Sequence, residues 1–169
     1  VKAELISQAT SVQPGSSIRL GVLLTQEPGW HTYWKTPGDT GLPTTIDWTL
    51  PEGWKAGQIQ WPTPNLYVVG DLTNFGYEDS ILLPVSISVP ASAKEGGYVA
   101  KANISWLMCA EQCIPGSASF DVPVKVLKTE PAPSPNAGLF QTNEGLTPAP
   151  LKTVSAKVDT LSLIHISEP

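Results

Sequence analysis

The sequence is poor in the side chains that most sites of chemistry are built from. Of 169 residues only two are cysteine, two histidine and one methionine. A tetrahedral zinc centre, which needs four clustered Cys/His donors, has little to draw on. Charge is scarce too: Asp, Glu, Lys and Arg make up 15% of the chain, with a net balance of −5. A nucleic-acid or anionic-lipid surface needs a basic excess, and there is none. No apolar run approaches the ~20 residues of a membrane-spanning helix. No charged-then-apolar leader opens the chain, so any signal peptide is expected to have been removed or to lie outside this sequence. Two cysteines do not by themselves identify a compartment, because a lone pair suits either an oxidised bridge outside the cytosol or a cytosolic thiol pair.

What the chain has is turn formers and β formers: 14 glycines, 17 prolines and six tryptophans among many Val, Ile and Thr. That mixture favours short strands joined by turns over helices. Turn signals recur at roughly 8–12-residue intervals, the spacing of an all-β immunoglobulin-like antiparallel sandwich. Lys2–Thr10 alternates weakly. Ile18–Thr25 alternates strongly, with Ile18, Leu20, Val22 and Leu24 on one face. Trp30–Trp34 and Thr45–Leu50 read as strands, and Thr36–Pro43 between them as a loop. Ile59–Pro64 is extended but broken by Pro62 and Pro64, which suits an edge or loop. Leu66–Gly76 is the least regular stretch of the middle region. Ile81–Val89 is a clean strand in which Pro84 argues for an edge or a bulge. Tyr98–Leu107 and Ser119–Leu127 complete about eight strands, with no convincing helix among them.

After Lys128 the character changes. Residues 129–138 are Pro-rich and read as a semi-rigid linker. Residues 139–169 hold a short possible helix near Leu139-Phe140 and a strand-like alternation over Val154–Leu163. About thirty residues cannot form a second core alone. They are therefore expected to be the truncated start of a second β module or a terminal tail.

Both cysteines lie in W-L-M-C-A-E-Q-C-I-P (Trp106–Pro115), between two expected strands. Cys109 and Cys113 then face each other across a hairpin turn, Ala110-Glu111-Gln112. Opposed Cα atoms in an antiparallel pair stand ~4.5–5.5 Å apart, within reach of a disulfide. Three readings are open. A structural staple is weakened by the small loop it closes, since stabilisation grows with loop length. A metal clip would use Met108 with the two thiolates, a set soft enough for Cu(I) but short of ligands, with His31 able to approach only through the fold. A working redox pair suits two cysteines close together at an exposed turn, and leads on spacing alone. Glu111 between them would tend to raise a thiol pKa, as suits a stable reduced donor. Either sulfur could attack first, with Cys109 slightly preferred.

Five pieces occur in a telling order: W-H-T-Y-W-K-T-P-G-D-T-G-L-P (Trp30–Pro43), W-P-T-P (Trp61–Pro64), N-F-G-Y (Asn74–Tyr77), L-P-V (Leu83–Val85) and Trp106–Pro115. Together they resemble the N-terminal periplasmic domain of the DsbD/ScsB thiol:disulfide interchange family over roughly residues 1–128. The cysteine spacing and the W-x-x-Y-W-x-x-P-G-D block are closer to the ScsB, suppressor of copper sensitivity, branch. The resemblance implies an immunoglobulin-like redox domain, periplasmic and part of an inner-membrane protein, with protein-disulfide reductase activity and no cofactor or metal. Its electrons would come from a membrane domain of the same polypeptide. They would pass to periplasmic thioredoxin-like or disulfide isomerase-type proteins, in the service of cytochrome c biogenesis or copper tolerance, with no nucleic-acid partner. A second immunoglobulin-like module would follow in ScsB-type proteins.

By position, Cys109 and Cys113 take the family's redox roles. The family's cap loop over the disulfide finds its nearest match in Asn74, Phe75, Gly76 and Tyr77, with Phe75 as the covering ring. Tyr33, Trp106 and Glu111 are expected to support the site. On composition, Trp30, Tyr33 and Trp34 are more often packing residues, His31 a surface or core-edge residue, and Asp39 a turn residue capping its own loop. The alternative reading from another class is a copper-handling or protein-interaction β-sandwich with a structural disulfide.

Overall fold

The computed structural model describes residues 1–148. They form an all-β sandwich of the immunoglobulin-like kind, built from ten strands and one helix. The strands are β1 (Lys2–Ser7), β2 (Ser17–Thr25), β3 (His31–Gly38), β4 (Thr45–Thr49), β5 (Lys55–Ile59), β6 (Asn65–Val69), β7 (Leu72–Tyr77), β8 (Ser80–Ser88), β9 (Gly96–Cys109) and β10 (Cys113–Val126), followed by α1 (Ala137–Leu146). One sheet has the order β1-β2-β8-β5. The other has the order β10-β9-β3-β7-β6, with β4 also paired to β9. The strand-like alternation over Val154–Leu163 lies outside the described residues.

The core follows the alternation in the sequence. Leu20, Val22 and Leu24 of β2 are fully buried, as are Ala100 and Ala102 of β9 and Val126 of β10. Their neighbours along each strand face outward, as the period of two requires. Strand β8 departs from that pattern: Ile81, Leu82, Leu83, Pro84 and Val85 are all buried. A strand buried on both faces needs a cover on each side, and α1 supplies the outer one. Phe140 of α1 is fully buried and lies over Gly21 of β2, where a Cβ would stand 3.1 Å from its ring. The Arg19 guanidinium sits 5.5 Å from the centroid of the same ring. The Pro-rich segment before α1 is also tied down, with Thr10 N–H donating to the Ala132 carbonyl at 2.9 Å and Ser134 N–H to the Gln8 carbonyl at 2.9 Å.

Three local expectations are corrected. Leu66–Gly76 is not irregular: β6 and β7 pair in register from Asn65↔Gly76 to Val69↔Leu72. Their alternation is obscured because β6 is an outer strand with exposed Leu66 and Val68. Strand β3 continues through Thr36 and Pro37 to Gly38, and its ladder with β7 slips between Tyr33 and Gly38, so the prolyl nitrogen falls in a bulge. Pro84 lies on an inner strand, opposite Gly21. Its carbonyl accepts from Gln60 N–H at 2.8 Å, so its missing N–H faces the β5 side, where the register shifts between Ala56 and Ile59. The bulge anticipated at Pro84 is thus carried by the neighbouring strand.

Candidate functional site

Strands β9 and β10 make a long ribbon closed by Ala110-Glu111-Gln112. Cys109 and Cys113 are register partners at its tip, joined by a disulfide with a Cα–Cα distance of 4.1 Å. Ala110 N–H donates to the Gln112 carbonyl at 3.1 Å across the turn. The two sulfur-bearing residues differ in access. Cys109 lies between β10 and β3 and is 3% exposed, whereas Cys113 starts the outer strand and is exposed. Of the two, only Cys113 is therefore open to solvent.

Strand register also decides which side chains share the disulfide's face, because directly opposed residues point the same way. His31 opposes Cys109, Tyr33 opposes Gly76 and Tyr67 opposes Asn74. All of these stand with the disulfide on the outer face. Thr32, Phe75, Tyr77, Trp106 and Met108 stand on the other face, toward the interior. The Tyr33 hydroxyl lies 3.9 Å from Cys113 Sγ, and it is the donor because a disulfide sulfur carries no proton. Burial pushes the Tyr33 phenol above its ordinary pKa, with nearby Thr40 pulling the other way, so the donor stays protonated. The His31 ring stacks on Tyr67 at 5.0 Å and 15° and meets Tyr33 edge-on at 5.2 Å. Burial lowers its pKa, opposed by the Glu78 carboxylate. Burial raises the Tyr67 phenol.

The loop after β3 folds over this face. Thr40 donates through both its N–H and its hydroxyl to Asn74 Oδ1, each at 3.0 Å. Asp39 does not cap its own loop: its N–H donates to the Thr73 carbonyl at 2.9 Å, and its Oδ2 accepts from Thr73 N–H at 2.8 Å. Gly41, at φ +95°, lies so close that a Cβ would fall on the Tyr33 ring, which excludes any side chain there.

The residues singled out from the sequence therefore separate. Cys109, Cys113 and Tyr33 are in contact. Asn74 and Gly76 share their face, Asn74 as the anchor of the covering loop. Phe75 turns away, its ring edge-on to Trp34 at 6.2 Å. Tyr77 is buried in the core, its hydroxyl donating to the Pro62 carbonyl at 2.8 Å. Trp106 is 8% exposed, both core and wall. It lines a groove of about 520 Å³ with Leu42, Pro43, Leu107 and Pro115, and its buried indole N–H has no partner among the described residues. Glu111 is exposed at the turn, where solvent weakens its hold on either thiol. Sequence reasoning passed over Tyr67 and left His31 as a bland residue. The signal for His31 was present, since alternation through W-H-T-Y-W sets it on one face with Tyr33. Tyr67 could not be read, because its strand was not.

Comparison with known proteins bears on this geometry. Residues 2–125 match the family model described as the N-terminal part of thiol:disulfide interchange protein DsbD. Among solved structures, the N-terminal periplasmic domain of ScsB from Proteus mirabilis shares the fold, with a TM-score of 0.61 at 20% identity. The likeness covers 91% of this chain and 57% of that one, so this chain spans little more than half of that structure. No match was found among curated proteins.

Proposed function

The chain belongs to the DsbD N-terminal family of thiol:disulfide interchange domains, and from that membership we propose that it relays electrons to partner protein disulfides by reversible opening of Cys109–Cys113. The observation that carries the reading is the unequal access of two bonded cysteines, one exposed on an outer strand and one buried. Exchange needs one sulfur within reach of a partner and a second placed to resolve the mixed disulfide. In the reduced domain the Cys113 thiolate attacks a partner disulfide, forming the mixed disulfide and releasing one partner thiolate. Cys109 then attacks Cys113 Sγ, reforming the bridge and releasing the second, so two electrons have moved to the partner. Tyr33, donating to Cys113 Sγ, stabilises the thiolate through a charge-assisted hydrogen bond.

Tyr67 and the Asp39–Pro43 loop, rather than Phe75, supply the cover on this face. The source of electrons is a membrane domain of the same polypeptide, and the acceptors are periplasmic thioredoxin-like or disulfide isomerase-type proteins. The reduction potential tests the reading. A relay falls between roughly −270 and −180 mV, the span from thioredoxin to disulfide isomerase. A potential below about −300 mV, or a bridge that opens only in denaturant, marks a structural staple and sinks the proposal.

A further inference from the structure

Cys109 poses a chemical difficulty for the relay just proposed. Once Cys113 is in a mixed disulfide, Cys109 must attack as a thiolate, yet it is 3% exposed. An ordinary thiol, with a pKa of about 8.5, is mostly protonated at neutral pH, and a sheltered one has little water to take its proton. A base is needed on the disulfide's own face. His31 is the residue directly across the ladder from Cys109; opposed Cβ atoms stand ~4.5–5.5 Å apart, within reach of an imidazole. Its ring is held by stacking on Tyr67 and by the edge of Tyr33, which itself touches Cys113 Sγ.

We propose that His31 is the base that takes the proton from Cys109 in the resolving step. The proposal rests on the relay reading and adds a residue to it. The Cys109 S–H gives its proton to the imidazole, and the thiolate then forms the S–S bond to Cys113. The bond between Cys113 and the partner breaks, and the partner leaves as a thiolate that takes up a proton from the imidazolium or from water. The titratable and charged groups facing His31 are Tyr33 on its own strand, Tyr67 from β6, Cys109 from β9 and Glu78 at the end of β7. The two phenols stay protonated. Glu78 only partly offsets burial, so the imidazole is neutral and able to accept at neutral pH.

The reduced chain is mixed with the aromatic disulfide dithionitrobenzoate under stopped flow. The first equivalent of thionitrobenzoate reports attack by Cys113, and the second reports resolution by Cys109. In His31→Gln the second phase is expected to slow on the order of a hundredfold at pH 7, within the usual range for loss of a positioned base. The first phase should stay within about twofold. The wild-type second phase should level off near neutrality and fall on the acid side, whereas the variant should rise about tenfold per pH unit without a plateau. His31→Phe keeps a ring against Tyr67 and must behave alike if the base is what is missing, with imidazole in the buffer restoring the rate in part. A second phase that is unchanged, or slowed equally at every pH with its plateau intact, overturns the proposal. A wild-type chain that never releases the second equivalent overturns the relay reading and this step with it.

Discussion

Reducing the Cys109–Cys113 bridge should leave the sandwich folded, and the size of the effect can be worked out beforehand. The cysteines are four positions apart in sequence, so the bond closes a loop of only a few residues. The chain-entropy relation then gives about 2 kcal/mol of stabilisation at 25 °C, against ~4.7 kcal/mol for a hundred-residue loop. The rest of the molecule does not depend on the bond. Below it β9 and β10 stay paired to Gly96↔Val126, and the two apolar clusters between the sheets lie along the strands rather than at the tip. For a domain of this size ~1 kcal/mol moves Tm by about 2–4 °C, so reduction should lower Tm by roughly 4–8 °C. The measurement is thermal unfolding by circular dichroism with and without a phosphine reductant, with thiols titrated to confirm that both are free. A fall of ~20 °C or more, or loss of the β signal at room temperature, would refute this reasoning and make the bridge a structural staple.

Phe140→Ala should cost ~3–5 kcal/mol in urea unfolding, the usual penalty for emptying a fully buried aromatic site; a loss under ~1 kcal/mol would mean that α1 does not seal the outer face of β2 and β8. His31 has its pKa lowered by folding, so the unfolded chain binds more protons as the pH falls through the histidine range. The stability owed to neutral His31 is therefore complete above about pH 6.5 and is lost on acidification below it. Wild type should accordingly lose more Tm than His31→Phe between pH 7.5 and 5.5, and equal losses would show that His31 titrates alike in both states.

The sandwich was legible wherever one face of a strand is buried and the other is wet. Ile18–Thr25, Tyr98–Leu107 and Ser119–Leu127 alternate because the inside of each is core. Legibility failed at the periphery. Leu66–Tyr77 carries apolar residues on both sides of an outer hairpin, so no alternation marks it. Pro84 signals disruption but not which strand absorbs it, and the bulge falls on β5, a strand whose side chains are nearly all exposed. The helix at Phe140 was visible only as a short possibility, because its reason for existing is the uncovered outer face of β8, remote in sequence.

The candidate site divides along the same line. Cys109 and Cys113 were identifiable from spacing and from their place between two strands, since a hairpin turn brings its flanks together wherever it occurs. Membership in the family followed from the order of short motifs. Which cysteine is exposed, which ring lies beside the disulfide and what residue stands opposite Cys109 depend on β10 being an outer strand and on the registers of β3 against β9 and of β6 against β7. A slip of one residue in a register sends every side chain to the other face. That is why Phe75, plausible in the sequence, turns inward beside Trp34, and why His31 stands across from Cys109 with its ring on Tyr67.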